Sequence, residues 1–188
     1  MRKPRLEGSL YDKFQPVSRS ESTGMNIRDA VVADLPTIVS IYNSTIASRM
    51  VTADVEPVAV ESRLSWFHAH TPDCRPLWVL EIDQEIAGWL GFQSFYSSRA
   101  AYHTTAELSI YIAANYRRQG VGRQLLEHAI DRSPSLELKT LIGVIFAHNH
   151  PSLQLFEQFG FTQWGYLPQV AEFAEIGMCD VVILGRKV

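Results

Sequence analysis

A chain of 188 residues, 46% hydrophobic and 20% charged, is long enough for one domain with a sizeable core and has an ordinary globular composition. Its net charge of −3 gives no electrostatic reason to expect nucleic acid or an anionic membrane, and no apolar run approaches the roughly 20 residues that span a bilayer. Two cysteines, Cys74 and Cys179, lie far apart and outside any CxxC pattern, as in a reduced, cytoplasmic protein.

Residues 1–24 hold many Ser, Arg and Pro with scattered apolar positions and no sustained period, so a flexible leader is expected before a domain at 25–188. The segment lacks the apolar core of a secretory signal, and Met25 is an alternative start. Residues 26–32 read as a strand. Asp34 is placed to cap a helix with Pro36 in its first turn, and Leu35, Ile38, Val39, Ile41, Tyr42 and Ile46 carry it to about 48. Pro57 is expected to open a second helix through about 70, before Thr71-Pro72-Asp73 breaks it. Strands at 77–82 and 86–95 form a hairpin around Asp83-Gln84-Glu85. Gly88 and Gly91 inside the second strand predict a bulge or a close backbone approach. All four tryptophans (Trp66, Trp78, Trp89 and Trp164) are expected in the core or at an interface.

After a polar loop at 96–104, Leu108, Ile110 and Ile112 alternate with Glu107, Ser109 and Tyr111, the period of a strand over 105–113. Val121, Leu125, Leu126, Ala129 and Ile130 then recur at helical spacing to about 132. A buried strand follows at 140–147, then a short helix at 152–158 started by Pro151 and closed by Gly160, then strands at 161–167 and 178–184. The order is β-α-α-β-β-β-α-β-α-β-β, with one βαβ crossover that makes strands 105–113 and 140–147 parallel neighbours.

Between strand and helix lies Arg117-Arg118-Gln119-Gly120-Val121-Gly122. Unpaired N–H groups at a helix N-terminus favour an anion, glycines admit it close to the backbone, and arginines add charge. This points to a pyrophosphate site. A Rossmann fingerprint is disfavoured because Leu125 stands where the third glycine belongs, and a P-loop because no Lys-Ser/Thr follows.

Arg117-x-x-Gly120-x-Gly122 resembles motif A of the GCN5-related N-acetyltransferases (GNAT), and Asn149-x-x-Ser152 ahead of Leu155-Phe156-Glu157-x-x-Gly160-Phe161 resembles the motif B that follows it. Ile41-Tyr42-Asn43, Ser98-Arg99-x-x-Tyr102 and Thr105-Ala106-Glu107-x-Ser109-x-Tyr111 are similar to the phosphinothricin and methionine sulfoximine acetyltransferase-like subfamily. The resemblance implies the α/β (α+β) acyltransferase fold, a mixed sheet of about seven strands flanked by about four helices. It implies acetyl transfer from acetyl-CoA to the primary amine of a small amino-acid-like acceptor, in a homodimer without a metal. His68/His70 and His148/His150 match no zinc pattern.

The resemblance also distributes roles. Backbone N–H groups of Gln119, Gly120, Val121, Gly122 and Arg123 would hold the pyrophosphate, with charge from Arg117, Arg118 and Arg123. Strand 105–113 would splay from strand 140–147, and Ile110, Tyr111 and Ile112 would offer backbone groups to the pantetheine and the thioester. Asn149, with Ser152, would bond the pantetheine arm; an Asx-type helix cap is its other reading. Glu107 would be the general base. Ser98, Arg99 and Tyr102 would contact the acceptor, Arg99 through a carboxylate. Three departures stand out: Ser97 replaces a lysine, Phe156 replaces a tyrosine acid, and Glu172 and Glu175 make residues 170–175 acidic. These favour a methionine sulfoximine-like amine over phosphinothricin and leave the acid to water, to Tyr111 or to no group at all. A peptide N-acetyltransferase and a non-catalytic acyl-CoA sensor are the competing readings.

Overall fold

The computed structural model describes residues 24–96 and 99–188, so the expected leader, Gly24 apart, lies outside the described residues. Seven strands form one sheet in the order β1-β2-β3-β4-β5-β7-β6. They are β1 (Met25–Asp29), β2 (Leu77–Ile82), β3 (Glu85–Ser94), β4 (Thr105–Ile112), β5 (Thr140–Phe146), β6 (Thr162–Phe173) and β7 (Gly177–Lys187). Four α-helices accompany them: α1 (Leu35–Ile46), α2 (Leu64–His68), α3 (Val121–Arg132) and α4 (His150–Gln158). Every pairing is antiparallel except β4 with β5, the two strands joined through α3. The element order is the one the periodicities predict, and no described helix is long and apolar enough to cross a membrane.

The alternation in the strands sorts two cores. Leu80, Leu90, Phe92 and Leu108 face α3 and α4, where Val121, Leu125, Leu126 and Phe156 meet them. Leu77, Val79 and Trp89 face Leu35, Ile38, Val39, Ile41 and Phe67 on α1 and α2. On β4 this puts Leu108, Ile110 and Ile112 on the α3 side and Glu107, Ser109 and Tyr111 on the α1 side.

The β2–β3 turn places Asp83 and Gln84 at φ 51° and 69°, the doubly left-handed form whose twist matches a hairpin. Gly88 meets both expectations for it. The β2–β3 register shifts beside it, and a Cβ there would stand 2.9 Å from the Tyr111 carbonyl oxygen and 3.0 Å from Val121 Cγ1. Gly88→Ala should therefore force β3, β4 and α3 apart and cost about 1–3 kcal/mol, read as a lowered denaturant midpoint at unchanged slope.

Three local expectations are corrected. Pro57 opens no helix: the helical turns begin at Glu61, and α2 is only five residues long. The Asn43 amide exchanges two hydrogen bonds with the Val58 backbone, at 2.9 and 3.0 Å, and holds that stretch outside a helix. Asp34 caps a turn earlier than expected, accepting from Val31 N–H at 2.8 Å and pairing with Arg28 at 2.6 Å. Trp78 and Trp89 are buried, whereas Trp164, 48% exposed on β6, keeps only the interface half of its expectation. That strand also continues past Pro168, because Asp180 accepts from Gln169 N–H (2.8 Å) and from the Tyr166 hydroxyl and so stabilises an irregular step.

Candidate active site

The β4–β5 ladder covers Thr105 to Glu107 and Thr140 to Ile142 and stops, although the strands run on to Ile112 and Phe146. Beyond Glu107 the sheet is split along its middle. The Ala113 N–H bonds the Ala87 carbonyl at 2.9 Å, in register with Gly88 opposite Ile112. The odd positions of β4 therefore exchange hydrogen bonds with β3, and the N–H and C=O groups of Ile110 and Ile112 point into the split. Unpaired backbone in mid-sheet is costly, and an extended chain with its own amide groups is the kind of ligand that could satisfy it in this slot. Val144 is 45% exposed although β5 is a central strand. Tyr111 differs from its neighbours: its backbone pairs with Trp89 of β3, and its ring stacks on Trp89 at 4.4 Å.

At the carboxyl end of β4 the chain turns through Arg118 (φ 62°) and Gly120 (φ 84°) into α3. The first regular helical bond is from Gln124 N–H to the Gly120 carbonyl at 3.0 Å, and no side chain among the described residues caps the helix. The N–H groups of Val121, Gly122 and Arg123 thus lack a helical acceptor and can serve an anion. The two glycines do different work. Nothing lies within 4 Å of a Cβ at Gly120, which keeps the approach open, whereas a Cβ at Gly122 would press on Leu155 of α4 at 3.2 Å. Gln119 donates to the Asn115 carbonyl at 2.7 Å. Arg117, Arg118 and Arg123 are exposed and have no acidic partner among the described residues; Arg123 lies 5.0 Å from the Phe159 ring centre.

Asn149 is buried and its amide is engaged within the protein. Its Oδ1 caps α4 by accepting from Ser152 N–H at 3.3 Å, and its Nδ2 donates to the Met50 carbonyl at 2.9 Å. His148 Nε2 bonds the Arg49 carbonyl at 2.8 Å, so the loop after α1 is tied across to the end of β5. Both ties are structural uses of residues adjacent to the slot. The Phe156 ring packs on Gly143, whose Cβ would come within 2.7 Å of it, and on Phe161.

Glu107 stands at the fork, as the last β4 residue paired with β5. It is half-buried without an ion-pair partner among the described residues, and burial pushes its carboxyl above the usual carboxylate range. On the same face of the sheet is a cleft of about 450 Å³ lined by Tyr42, Arg63, Trp66, Gln93, Ser109 and Tyr111. Gln93 is the β3 partner of Glu107. The Arg63 charge is met by Asp54 at 2.8 Å, and the Tyr42 hydroxyl bonds Thr52 and Asp54. Burial raises the Tyr111 phenol, which stays protonated. Arg99 and Tyr102 line a second cleft of about 260 Å³ with Arg75, Phe95, Tyr96 and His103, and it shares no residue with the first. Ser98 lies outside the described residues, as does Ser97. Arg63, Trp66, Gln93 and Arg75 carry no local motif, and only the fold gathers them. Among the described residues no cluster of His, Cys, Asp and Glu could hold a metal ion.

Residues 38–161 match the family described as Acetyltransferase (GNAT) family. The chain belongs to this family. It therefore stands among the acetyl-CoA-dependent N-acyltransferases. YwnH of Bacillus subtilis (strain 168), provisionally named a phosphinothricin acetyltransferase, is 49% identical over 164 residues, covering 87% of this chain and 99% of that protein. An L-methionine sulfoximine/L-methionine sulfone acetyltransferase of Pseudomonas paraeruginosa is 33% identical over 150 residues, 78% of this chain and 86% of its own. The crystal structure of a GNAT superfamily phosphinothricin acetyltransferase from Sinorhizobium meliloti in complex with AcCoA aligns at TM-score 0.81 and 26% identity, over 87% of this chain and 88% of that one. The mixed seven-strand sheet with its four helices thus matches the fold of GNAT neighbours.

Proposed function

We propose that this GNAT chain transfers an acetyl group from acetyl-CoA to the primary amine of a small amino-acid-like acceptor of the methionine sulfoximine or sulfone type. One observation carries the reading: the central ladder stops at a half-buried glutamate, and the slot beyond it leads to an uncapped helix N-terminus. The residues present fit acetyl-CoA, with an amide-bearing arm in the slot and a diphosphate at the helix. When bound, acetyl-CoA supplies the activated acyl carbon. The N–H groups of Val121, Gly122 and Arg123 and the three arginines hold and orient its diphosphate. The Ile110 and Ile112 backbone pairs with the arm and offers an N–H donor beside the reacting carbonyl. Glu107, directly or through water, accepts the proton that the acceptor ammonium must lose, a task suited to a carboxyl raised by burial. Phe156 offers no proton, and the high-lying Tyr111 phenol is a weak acid, so CoA leaves as a thiolate.

The acceptor class draws support from the name of the Pseudomonas relative. One argument against a dianionic acceptor weakens, because Glu175 is paired with Arg49 at 2.7 Å, which leaves Glu172 without an ion-pair partner among the described residues. Exposed Trp164, Tyr166, Leu167, Val170, Ile176 and Met178 on the β6–β7 hairpin support a homodimer. Thiol release from acetyl-CoA, screened across amino acids, sulfoximines, polyamines and peptides, tests the reading. CoA release should depend on a small amino-acid-like amine. Release only with peptides, or acetyl-CoA binding without turnover on any amine, would overturn it in favour of the peptide or sensor reading.

A further inference from the structure

The second cleft contains a charge that the described residues leave unmatched. Arg75, just before β2, is 6% exposed. Its Nη2 donates to the carbonyls of His103 at 2.6 Å and Thr105 at 3.4 Å, and its Nη1 to the Cys74 carbonyl at 2.9 Å. Its Nε is buried and has no partner among the described residues. Every partner it has is neutral, and no aspartate or glutamate pairs with it among the described residues. A guanidinium is a permanent cation, and burying one without a counter-charge is expensive. The other charged side chain of the cleft is a second arginine, Arg99, 6.0 Å from the Tyr96 ring centre. No acidic residue lines the cleft among the described residues. Two guanidinium groups, one of them dry, with aromatic walls and no acid, make a place for an anion with two oxygens.

We propose that Arg75 is a specificity-determining positioning residue whose buried charge selects a carboxylate on the acceptor. The inference rests on the transferase reading above. Arg75 does so from behind the cleft. It ties the end of the 96–104 loop to the first residue of β4, two residues ahead of Glu107, so the charge that attracts the carboxylate also fixes the strand that carries the base. Arg99 is at the exposed rim and Arg75 at the buried end.

The test is calorimetry on the full chain, with L-methionine sulfone and its carboxamide as probes. Wild type should bind the acid at least about tenfold tighter than the carboxamide. Arg75→Gln should erase that ratio and leave acetyl-CoA affinity unchanged, and Arg75→Lys should keep part of it. A merely structural arginine would weaken both probes equally and leave the ratio intact. Should Arg75→Gln fail to fold, sodium acetate titrated into wild type must still displace the sulfone. Equal affinity for acid and carboxamide, no binding of either, a ratio kept in Arg75→Gln, or no displacement by acetate overturns the proposal. Absence of CoA release with every amine, while the acid-over-carboxamide ratio persists, overturns the transferase reading alone.

Discussion

Glu107→Gln should lower acceptor-dependent CoA release by at least about a hundredfold while acetyl-CoA affinity is kept, and it should melt no lower than wild type at pH 8. The first half follows from the role of the base: a carboxamide cannot accept the ammonium proton, and Gln keeps the volume and the strand. The second half follows from linkage. Burial raises the carboxyl of the folded protein above its unfolded value, so the folded state holds its proton to a higher pH. Wild-type stability therefore falls as pH rises through that window, and above it the protein carries the cost of a desolvated carboxylate. Gln carries no such cost, so its advantage appears at pH 8 and vanishes in acid, where the wild-type carboxyl is neutral. The rising limb of wild-type kcat/KM against pH should likewise sit above the ordinary carboxylate range and disappear in the variant. Full activity in Glu107→Gln, or a variant less stable at pH 8, would remove the glutamate from the role.

What could be read from the sequence depended on how local each signal is. The strand–turn–helix from 105 to 132 was legible because two periodicities meet at a glycine-bearing turn, and each is a property of neighbouring residues. The hairpin at Asp83-Gln84 was legible for the same reason. The second helix starts later than the sequence predicts because Pro57 is a sound local start signal, while Asn43, distant in sequence, takes the Val58 backbone away. β6 was cut short at Pro168, since nothing nearby announces that Asp180 will take up the Gln169 N–H. The capping role of Asn149 could be seen ahead of Pro151, but its bond to the Met50 carbonyl could not. The point where β4 and β5 part belongs to two strands at once. Periodicity places both strands and gives no sign that pairing stops at Glu107; only the family resemblance anticipated the splay. Arg75 stands in an undistinguished Cys-Arg-Pro, and its burial among carbonyls is a tertiary fact.

Replacing Arg117, Arg118 and Arg123 together by Gln should raise KM for acetyl-CoA by about ten- to thirtyfold and leave kcat within about twofold. All three are exposed and have no acidic partner among the described residues, so their charge is available to a diphosphate but is screened by water and salt. Each therefore adds modestly, and Arg123, resting over Phe159, loses some packing as well. The N–H groups of Val121, Gly122 and Arg123 remain in the variant, which is why binding weakens and does not vanish. On the proposed reading the diphosphate would be held alike in ground and transition states, so a weaker hold should fall on KM rather than kcat. Salt separates the two contributions. Wild-type KM should climb with ionic strength, while that of the triple variant should be nearly flat, because what remains is a short-range backbone site. Gly120→Val provides the converse. Its φ of 84° disfavours a side chain, so the turn must shift and KM should rise with its salt dependence intact. A triple variant that loses kcat and keeps KM would mean that the arginines serve the reacting end of the slot, and the assignment of the helix N-terminus to the diphosphate would fall with it.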